Sequence, residues 1–519
     1  MADSLQFFEA ISHELKSGSI QTKDQLQRAK IRLSREFGLE TIPGDAEVLN
    51  YAEFSAEIRD VLRVKRTRTA SGVSVVAVMT SPDRCPHGKC VFCPGGIENN
   101  SPQAYTGHEP AALRGRNNSY DPYAQVFSRL RQLETIGHDV SKVDAIVMGG
   151  TFTARPESYQ IDFVKGCFDG MNREKATSLS ESILINEDAE RRCVGLTVET
   201  KPDWFMEREI DLSLSYGSTK VELGVQILNE GVLRKNNRGH GITEIVRSTQ
   251  LARDAGFKIV YHIMPGMFGA SPDDDIRSFR TMISDPGFKP DMLKIYPTLV
   301  VKGTGLYSIW KRGDFIPMDS ESAADLISRM LEEMPPWIRI QRMQRDIPVG
   351  FIEAGVKRSD LRVISEEKLK QRKGSTMEIR AREIGFSSID RTDFILSRLD
   401  YEASGGNEVY LSFENDDRVL LGFLRLRIPS EDAHRQEMTG SSIVREIKVF
   451  GETVGVGSSS GKNWQHRGFG ELLLREAERV SAEEFGMRRQ LVISGVGVRQ
   501  YFRKKGYEVL GPYMCRALH

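Results

Sequence analysis

Three cysteines, Cys85, Cys90 and Cys93, lie within nine residues of the chain, in the segment SPDRCPHGKCVFCPGG. Their Cys-x4-Cys-x2-Cys spacing lets three thiolates coordinate one metal centre, and no fourth cysteine accompanies them. Soft thiolates select zinc or an iron-sulfur cluster. A [4Fe-4S] cluster held by three cysteines leaves one iron open to the amino and carboxylate groups of S-adenosylmethionine. The alternative is a zinc ion held by these cysteines and His87.

A pair of glycines followed by threonine, Gly149, Gly150 and Thr151, ends an apolar run in the segment VDAIVMGGTFTARP. Glycine lets the backbone approach a ligand closely, because it has no Cβ atom. We expect these residues to contact the methionyl part of S-adenosylmethionine.

A second candidate binding loop, QHRGFG, precedes the amphipathic segment ELLLREAERV. Backbone N–H groups at a helix start form an anion site, and the Gln-x-x-Gly-x-Gly form matches the pyrophosphate loop of the GNAT superfamily of N-acetyltransferases. We therefore expect this loop to bind acetyl-coenzyme A. The residues assigned to it are Gln465, Arg467, Gly468, Phe469, Gly470 and Glu471.

Further residues of this coenzyme site are expected on a preceding strand and on the last helix. The strand residues Glu446, Ile447, Lys448 and Val449 would flank the acetyl thioester with backbone groups. Tyr501 and Phe502 would reach the coenzyme sulfur, and we assign Tyr501 a catalytic role, with a core position as the alternative.

The elements that must position the cysteines form a repeated strand-helix pattern over residues 71–350. Short apolar runs such as Val73–Met79, Ala145–Met148 and Val221–Val225 alternate with helical patterns. Runs of this length suit parallel strands buried on both faces, so we predict an α/β fold with a full or partial (β/α) barrel. Active residues should then lie at the C-terminal ends of the strands.

The rest of the chain divides into three regions. Residues 1–70 are predicted to be a helical, basic N-terminal segment, and residues 351–385 a charged linker. Residues 386–519 contain successive strand patterns and then a helix, which predicts a second α/β domain of the acetyltransferase type.

Composition narrows the class of protein. The chain has 519 residues, 39% of them hydrophobic and 28% charged, and no apolar run approaches the ~18 residues that would span a membrane. Its start lacks a basic region followed by an apolar stretch, so we expect a soluble, cytoplasmic protein without a membrane partner. The net charge is zero, so any nucleic acid must be held by local basic patches.

Together these motifs resemble the third Elongator protein family, the catalytic subunit of Elongator, over most of the chain. Further stretches that look like that family are SGVSVVAVMTSP, VETKPDW, VELGVQ, DMLKIYPT and VISGVGVRQYFRKKGY. The resemblance implies modification of tRNA wobble uridine 34, with the cluster and S-adenosylmethionine activating the acetyl methyl group. A carboxymethyl group would then be attached at C5 of the base.

The resemblance also implies partners and further site residues. The partners are tRNA and a reductant or electron-transfer protein, and a need for Elongator-like subunits or a homodimer is left open. Lys142 looks like a position that contacts acetyl-coenzyme A. Residues near strand ends would contact S-adenosylmethionine or the acetyl group, with buried ion pairs as the alternative reading: Lys201, Glu222, Gln226 and the two assigned as catalytic, Lys294 and Tyr296.

Two features depart from the family pattern. The segment STMEIRAREIG lacks the cysteines that hold a structural zinc in many relatives, so we expect no zinc there. Phe502 stands where many relatives have a second tyrosine.

For tRNA we expect a surface formed by the N-terminal segment with Arg59–Arg68, by Arg114 and Arg116 near Tyr120 and Tyr123, and by Lys357–Lys373. Two other readings compete with tRNA modification. One is a protein lysine acetyltransferase with a structural metal cluster and Glu446 or water as the base. The other is a tRNA-binding scaffold without chemistry.

Overall fold

The computed structural model describes residues 2–64, 72–386, 393–450 and 468–518. Four helices come first and enclose a small apolar core that includes Phe7, Ile11 and Leu26. Two basic residues of this segment are not free for nucleic acid, because Lys23 and Lys30 both ion-pair with Asp45 at 2.6 Å. The helices are α1 (Ala2–Lys16), α2 (Lys23–Glu36), α3 (Asp45–Tyr51) and α4 (Ala56–Leu62).

A seven-stranded parallel sheet, in the order β1-β2-β3-β4-β5-β6-β8, confirms the predicted partial (β/α) barrel. We call this sheet the half-barrel. Its strands are β1 (Ser74–Met79), β2 (Lys142–Met148), β3 (Arg192–Thr200), β4 (Lys220–Gln226), β5 (Lys258–Ile263), β6 (Met292–Ile295) and β8 (Arg339–Arg342). Its helices are α5 (Pro110–Asn117), α6 (Pro122–Thr135), α7 (Glu157–Asn172), α8 (Leu179–Asp188), α9 (Glu207–Ser215), α10 (Glu230–Lys235), α11 (Ile242–Asp254), α12 (Pro272–Ser284), α13 (Gly305–Lys311) and α14 (Ser320–Glu332).

The two faces of the half-barrel differ in polarity, although strands such as β4 and β5 are buried on both faces as expected. The outer face is apolar and buried, as at Val221, Leu223 and Ile259. The alternate residues, such as Lys220 and Glu222 of β4, point inward because side chains along a strand alternate between faces. Apolar residues also lie on the inner face, since the strand register aligns Ile146 with Thr197 and Val260 with Glu222.

Residues 351–385, which we expected to be a linker, are largely folded. The segment forms β9 (Ile352–Ala354), which pairs with β7 (Val300–Val301), and then α15 (Leu361–Gln371) and α16 (Ile379–Arg382). Leu361, Ile364 and Leu369 of α15 are buried. The charged residues Arg362, Glu366, Glu367 and Lys368 lie between them in the sequence, and they obscure the apolar face of the helix.

A second seven-stranded sheet follows, in the order β10-β11-β12-β13-β14-β16-β15. Neighbouring strands are antiparallel except β13 and β14, which run parallel. The helix α17 lies between these two in the chain. The strands are β10 (Ile395–Ala403), β11 (Gly406–Glu414), β12 (Leu420–Ile428), β13 (Ser441–Val449), β14 (Arg489–Val492), β15 (Glu508–Leu510) and β16 (Tyr513–Ala517), and the helices are α17 (Phe469–Arg479) and α18 (Arg499–Arg503).

Buried arginines join the second sheet to the half-barrel. Arg445 of β13 donates to both carboxylate oxygens of Asp291, at 2.7 and 2.6 Å, just before β6. Arg427 of β12 donates to Asp254 at 2.9 Å, at the end of α11. The second domain thus lies against the N-terminal ends of the half-barrel strands.

The turn before α18 makes a further close contact with the half-barrel. A Cβ atom added to Gly495 would lie 2.2 Å from the carbonyl oxygen of Val194, and one added to Gly497 would lie 2.3 Å from Cβ of Arg192. Only glycine fits at these two positions, because real Cβ atoms do not approach other atoms so closely. Within the described residues, no helix is long and apolar enough to cross a membrane.

Candidate active site

The cysteine loop follows β1 and folds over the C-terminal end of the half-barrel. Cys90 and Cys93 are buried and Cys85 is partly exposed. Arg238 donates a hydrogen bond to Sγ of Cys90 at 3.2 Å, and Nε2 of His87 lies 3.1 Å from the same sulfur. Sγ of Cys85 lies 3.5 Å from Oγ1 of Thr151. The loop therefore brings three thiols and one guanidinium group together.

The thiols differ in their readiness to ionise. A hydrogen bond with Cys93 is the largest influence that lowers the pKa of Cys90 well below its ordinary value, and Arg238 adds to it. The same hydrogen bond and burial raise the pKa of Cys93 well above its ordinary value. Cys90 thus lies beside a buried cation, which favours its thiolate, and a thiolate is the form that binds metal.

Gly149 and Gly150 end β2 as predicted, and their amides have a partner within the protein. Both N–H groups donate to Oε2 of Glu199, at 3.2 and 3.4 Å. A Cβ atom on Gly149 would lie 1.9 Å from Oγ1 of Thr80. Glycine is needed at this position so that the ends of β1 and β2 can meet, whatever ligand lies above them.

Alanine at Gly149 should therefore destabilise the protein by about 1–3 kcal/mol, because the methyl group would displace Thr80. The midpoint of chemical unfolding measures this effect. Adding Thr80→Ala removes the nearest clashing atom and should restore part of the loss. A Gly149→Ala protein as stable as the wild type would contradict this account of the strand ends.

A cavity that is open to solvent lies beneath the cysteine loop. All three cysteines line it, together with Gly150 and Thr151. Four of the predicted strand-end residues also line it, namely Lys201, Gln226, Lys294 and Tyr296, whereas Glu222 lies behind them. The half-barrel therefore brings the predicted cysteines and most of the predicted polar residues to one place.

A charged group forms the floor of this cavity. Glu222 accepts hydrogen bonds from Lys294 at 2.5 Å and lies 2.9 Å from Nε2 of His262. Burial lowers the pKa of Lys294, but Glu222 outweighs it and holds that pKa above its ordinary value. Burial also raises the pKa of Tyr296. Lys294 is thus a buried ammonium group and Tyr296 a neutral phenol.

Several cavity residues were missed from the sequence. Tyr105 donates to Glu199 at 2.7 Å, and Nδ1 of His262 lies 3.8 Å from the other oxygen of Glu199. Arg342 and Arg345 also line the cavity. For Glu199 and His262 the available signal was their spacing of two residues from Thr197 and four from Lys258, which puts them on the same face of β3 and β5 as these polar residues.

The donor set fits a [4Fe-4S] cluster better than a structural zinc ion. Structural zinc sites are closed and tetrahedral. Here the three thiols face a cavity with room for a further ligand, and a buried arginine offsets the thiolate charge. The residues that would hold the cluster are Cys85, Cys90 and Cys93.

Comparison with known proteins agrees with this geometry. Residues 4–70 match the ELP3 N-terminal domain, residues 79–282 the radical SAM superfamily and residues 290–371 the radical SAM C-terminal domain. The chain is 44% identical to "tRNA uridine(34) acetyltransferase" of Methanocaldococcus infernus, covering 98% of each protein. It is 41% identical to Elongator complex protein 3 of Homo sapiens, covering 96% of this chain and 94% of that one.

The chain belongs to the Elongator complex protein 3 family. A solved structure agrees: the archaeal Methanocaldococcus infernus Elp3 lacking residues 1–46 superposes with a TM-score of 0.77 at 42% identity, over 87% of this chain and 100% of that one. The resemblance noted in the sequence is thus confirmed. Membership of the radical SAM superfamily implies a [4Fe-4S] cluster and S-adenosylmethionine.

The residues predicted for the coenzyme site lie in the second domain, and some converge. A Cβ atom on Gly470 would be 3.7 Å from Cγ2 of Val449 and 3.9 Å from the hydroxyl of Tyr501. Ile447 lies at a similar distance. Tyr501 is 40% exposed. Gln465 and Arg467 lie outside the described residues.

Other predicted residues of this site are engaged within the protein. Glu446 accepts a hydrogen bond from Arg425 at 2.9 Å, and Glu471 ion-pairs with Arg475 at 2.6 Å. Phe502 is only 2% exposed and packs in the second core, so its ring does not face the surface as Tyr501 does. The remaining residues are placed as follows: Lys448 on β13, Gly468 and Phe469 at the start of α17, and Lys142 at the N-terminal end of β2.

Lys142 is therefore separated from the cavity by the whole length of β2. It starts that strand, whereas Gly149 and Gly150 follow its end. Lys142 thus lies at the N-terminal end of the half-barrel strands, which is the end that the second domain contacts. A role in contacting acetyl-coenzyme A would have to be carried out at that end.

Proposed function

We propose that this protein modifies uridine 34 of tRNA, using the cluster and S-adenosylmethionine to activate the acetyl group of acetyl-coenzyme A and attach a carboxymethyl group at C5. The observation that carries the proposal is the set of three thiols above one polar, charged cavity at strand C-terminal ends. The name of the archaeal relative, tRNA uridine(34) acetyltransferase, supports the substrate.

The second domain supports the choice of acetyl-coenzyme A and an acetyltransferase-type fold. Strand β14 pairs only with residues 441–444 of β13, so the rest of β13 is not covered by β14. Gly468 has φ = 83° and precedes α17, which gives a tight turn into the helix start. We expect the uncovered edge of β13 near Val449 and the side chain of Tyr501 to hold the thioester of the coenzyme. The turn at Gly468 and the start of α17 would hold its pyrophosphate.

In this proposal the bound cluster and S-adenosylmethionine supply a carbon radical able to remove hydrogen from an unactivated methyl group. The chain itself holds and orients the acyl group. The ammonium of Lys294 would donate to the acyl carbonyl oxygen, since only one of its three N–H bonds is committed to Glu222 at 2.5 Å. Tyr296, a neutral phenol beside it, can donate a second hydrogen bond.

We propose that tRNA binds to basic residues whose side chains are exposed. Arg114 and Tyr120 of the predicted surface are partly engaged, since they donate to backbone oxygens of Ala77 and Asn100. Arg28 and Arg35 on α2, and Lys370 and Lys373 at the end of α15, are exposed. Arg66 and Arg68 lie outside the described residues.

The reading as a protein lysine acetyltransferase gains no support from Glu446. Burial raises the pKa of Glu446, but Arg425 and Lys258 outweigh burial and the net shift is downward. A carboxylate with a lowered pKa, already bound to arginine, is a weak general base. The cavity beneath the cysteines would also have no part in such a reaction.

The proposal is tested by incubating the reconstituted protein anaerobically with reductant, S-adenosylmethionine, acetyl-coenzyme A and tRNA. Mass spectrometry of the nucleosides should reveal carboxymethyluridine, and 5'-deoxyadenosine should accumulate. Carboxymethyluridine should be missing when uridine 34 is replaced by cytidine. No product from a protein with a full complement of iron and sulfide would overturn the proposal.

Replacing Lys294 with methionine should separate radical formation from product formation. The change removes the ammonium that faces the acyl group, and we expect at least about 100-fold less carboxymethyluridine. Iron content and 5'-deoxyadenosine formation should stay close to wild type, since Lys294 does not touch the cysteines. Lys302→Met, at an exposed lysine outside the cavity and outside the proposed tRNA surface, is the matched control. Equal product from Lys294→Met would exclude the assigned role.

A further inference from the structure

The two outer strands of the half-barrel are bridged just beyond their C-terminal ends. Strands β1 and β8 lie at opposite edges of this sheet. Arg345, which follows β8, donates a hydrogen bond to the backbone oxygen of Ala104, which follows β1. The ring of Phe351 also stacks on the ring of His108, with 3.8 Å between their centroids and 17° between their planes. The segments after the two edge strands therefore meet across the open side of the half-barrel.

The stacked rings belong to segments that form part of the cavity wall. Glu109, the residue after His108, lines the cavity. Arg345 and Asp346, which precede Phe351 in the chain, line it as well. Neighbouring Cα atoms are only about 3.8 Å apart, so the backbone of His108 lies beside this wall. The ring pair is thus close to the cavity that the three cysteines line.

The ring of Phe351 is also accessible from solvent. Phe351 is 41% exposed and Val349 is 51% exposed. Residues 348–351 are all exposed. Single exposed apolar residues are common on protein surfaces, but these two lie together and close to a cavity, which favours a binding surface. Phe351 therefore presents an aromatic ring, supported by His108, that a partner can contact.

The segments that carry the stack have more positive than negative charge. Residues 104–116 and 342–357 contain five arginines and lysines against three carboxylates. The guanidinium group of Arg116 lies against Gly107, the residue before His108. Aromatic rings among cations are typical of surfaces that bind single-stranded nucleic acid, since the rings stack on bases and the cations attract phosphates. The chemistry of this patch therefore favours RNA over an apolar protein partner.

The proposed reaction creates a need for such a ring. A base inside a stack cannot present its edge to a buried site, so uridine 34 must leave its neighbours for C5 to enter the cavity. Its departure uncovers one face of each neighbouring base. An aromatic side chain can cover that face whatever the base is, because every base has a π face. Phe351 lies where a neighbour of a base in the cavity would be found.

We propose that the His108–Phe351 pair is a stacking platform for a base that flanks uridine 34 of the bound tRNA. Phe351 contacts the flanking base, and His108 supports the ring from its other face. The cations of the two segments attract the phosphates around that nucleotide. Phe351 is then a positioning residue, because it holds the neighbour of the reacting base. This inference rests on the proposed function, since it takes tRNA as the substrate.

Affinity for tRNA tests the platform apart from catalysis. The full chain, reconstituted with its cluster, is titrated with tRNA whose uridine 34 is replaced by cytidine. Phe351→Leu keeps an apolar side chain but removes the aromatic face, and it should weaken binding at least about five-fold, the lower end of the loss for one base-ring stack. Phe351→Trp keeps the aromatic face and should bind at least as tightly as wild type. Ile316→Ala, at an apolar residue that is 90% exposed, is the matched control and should leave the affinity unchanged.

Removal of single bases identifies the nucleotide that the ring holds. The tRNA is prepared with an abasic site at position 33 or at position 35. One of these two should weaken binding to wild-type protein as much as Phe351→Leu does. Phe351→Leu should then cause no further loss with that RNA, because the two changes remove the same contact. Additive losses with both RNAs would overturn the platform.

Photocrosslinking locates the contact on the protein. The tRNA carries 5-iodouridine at position 33 or 35 and is irradiated when bound to wild-type protein. Peptide mass spectrometry should find the attached nucleotide on Phe351 or His108. Tyr501 is 40% exposed but belongs to the second domain, so it should carry no attachment.

Unchanged affinity of Phe351→Leu would overturn the platform, and it is the result expected if the patch binds a protein subunit instead. If Phe351→Leu does not fold, the crosslinks and Phe351→Trp decide, and crosslinks elsewhere would overturn the platform. The wild-type chain is assayed for carboxymethyluridine in parallel. Product together with unchanged affinity would leave the proposed function standing and remove only the platform. Ring-dependent binding without product would support the platform and count against the proposed reaction.

Discussion

Serine in place of Cys90 is expected to lower cleavage of S-adenosylmethionine by at least about 100-fold, because loss of a residue that only supports a metal ligand already costs about 10- to 100-fold. Cys90 is buried, receives the contact from Arg238 at 3.2 Å and is one of the three thiols predicted to hold the metal centre. A serine hydroxyl does not ionise near neutral pH. Iron and sulfide per chain, and 5'-deoxyadenosine after reduction, measure the loss.

Cys193→Ser is the matched control for that variant. Cys193 is buried as Cys90 is, but it contacts the carbonyl oxygen of Gly195 at 3.3 Å, far from the cysteine loop. A serine there can donate the same hydrogen bond, and the cluster should assemble as in wild type. A Cys90→Ser protein with unchanged iron content and cleavage rate would refute the three-cysteine site.

Asparagine at Asp291 should destabilise the whole protein by about 3–5 kcal/mol, because it leaves buried arginines without their countercharge. Asp291 is 0% exposed, receives two hydrogen bonds from Arg445 and has Arg425 at 3.6 Å. The unfolding rate in denaturant and the thermal midpoint measure the effect. Since Asp291 joins the two domains, both should lose stability together.

The effect of this substitution should depend on pH. Burial raises the pKa of Asp291, but Arg445 and Arg425 outweigh burial and hold that pKa well below its unfolded value of about 3.9. The carboxylate therefore stabilises the fold above pH ~4, and its contribution is lost as the pH falls below that value. The difference between Asp291→Asn and wild type should narrow in acid.

Asp325→Asn provides the comparison at the surface. Asp325 also pairs with an arginine, Arg372 at 3.0 Å, but half of its side chain is exposed. Exposed pairs contribute about 0–1 kcal/mol, so this variant should unfold nearly as wild type does. Equal losses from the two variants would mean that the buried network does not join the domains.

The sequence was sufficient for features that depend on local patterns. The cysteine spacing and the strand-helix alternation were visible in short windows, and the parallel half-barrel followed from them. The Gly149-Gly150 pair was located correctly because it ends an apolar run. Its amides, however, bind Glu199, a residue fifty positions away along the chain. No local pattern in the sequence predicts that Glu199 is their partner.

Other features depended on the fold as a whole. Arg427 and Arg445 lie in strand patterns that could equally have faced solvent, yet both are 0% exposed. Which arginines become buried is decided by the docking of two sheets, and a single sequence does not reveal that docking. The helix over residues 361–371 was missed for a related reason, since its charges outnumber its three buried apolar positions.

The glycines before α18 bear on how the C-terminal part of this protein should be studied. Gly495 and Gly497 pack directly against β3. Tyr501 follows Gly497 by four residues, about one helical turn. Arg499 in the same helix holds Glu187 of the half-barrel at 3.0 Å. A fragment cut before residue 393 would leave Tyr501 on an unsupported segment. Coenzyme affinities obtained with such a fragment would report on a loosened tyrosine, and they would understate what the intact chain can bind.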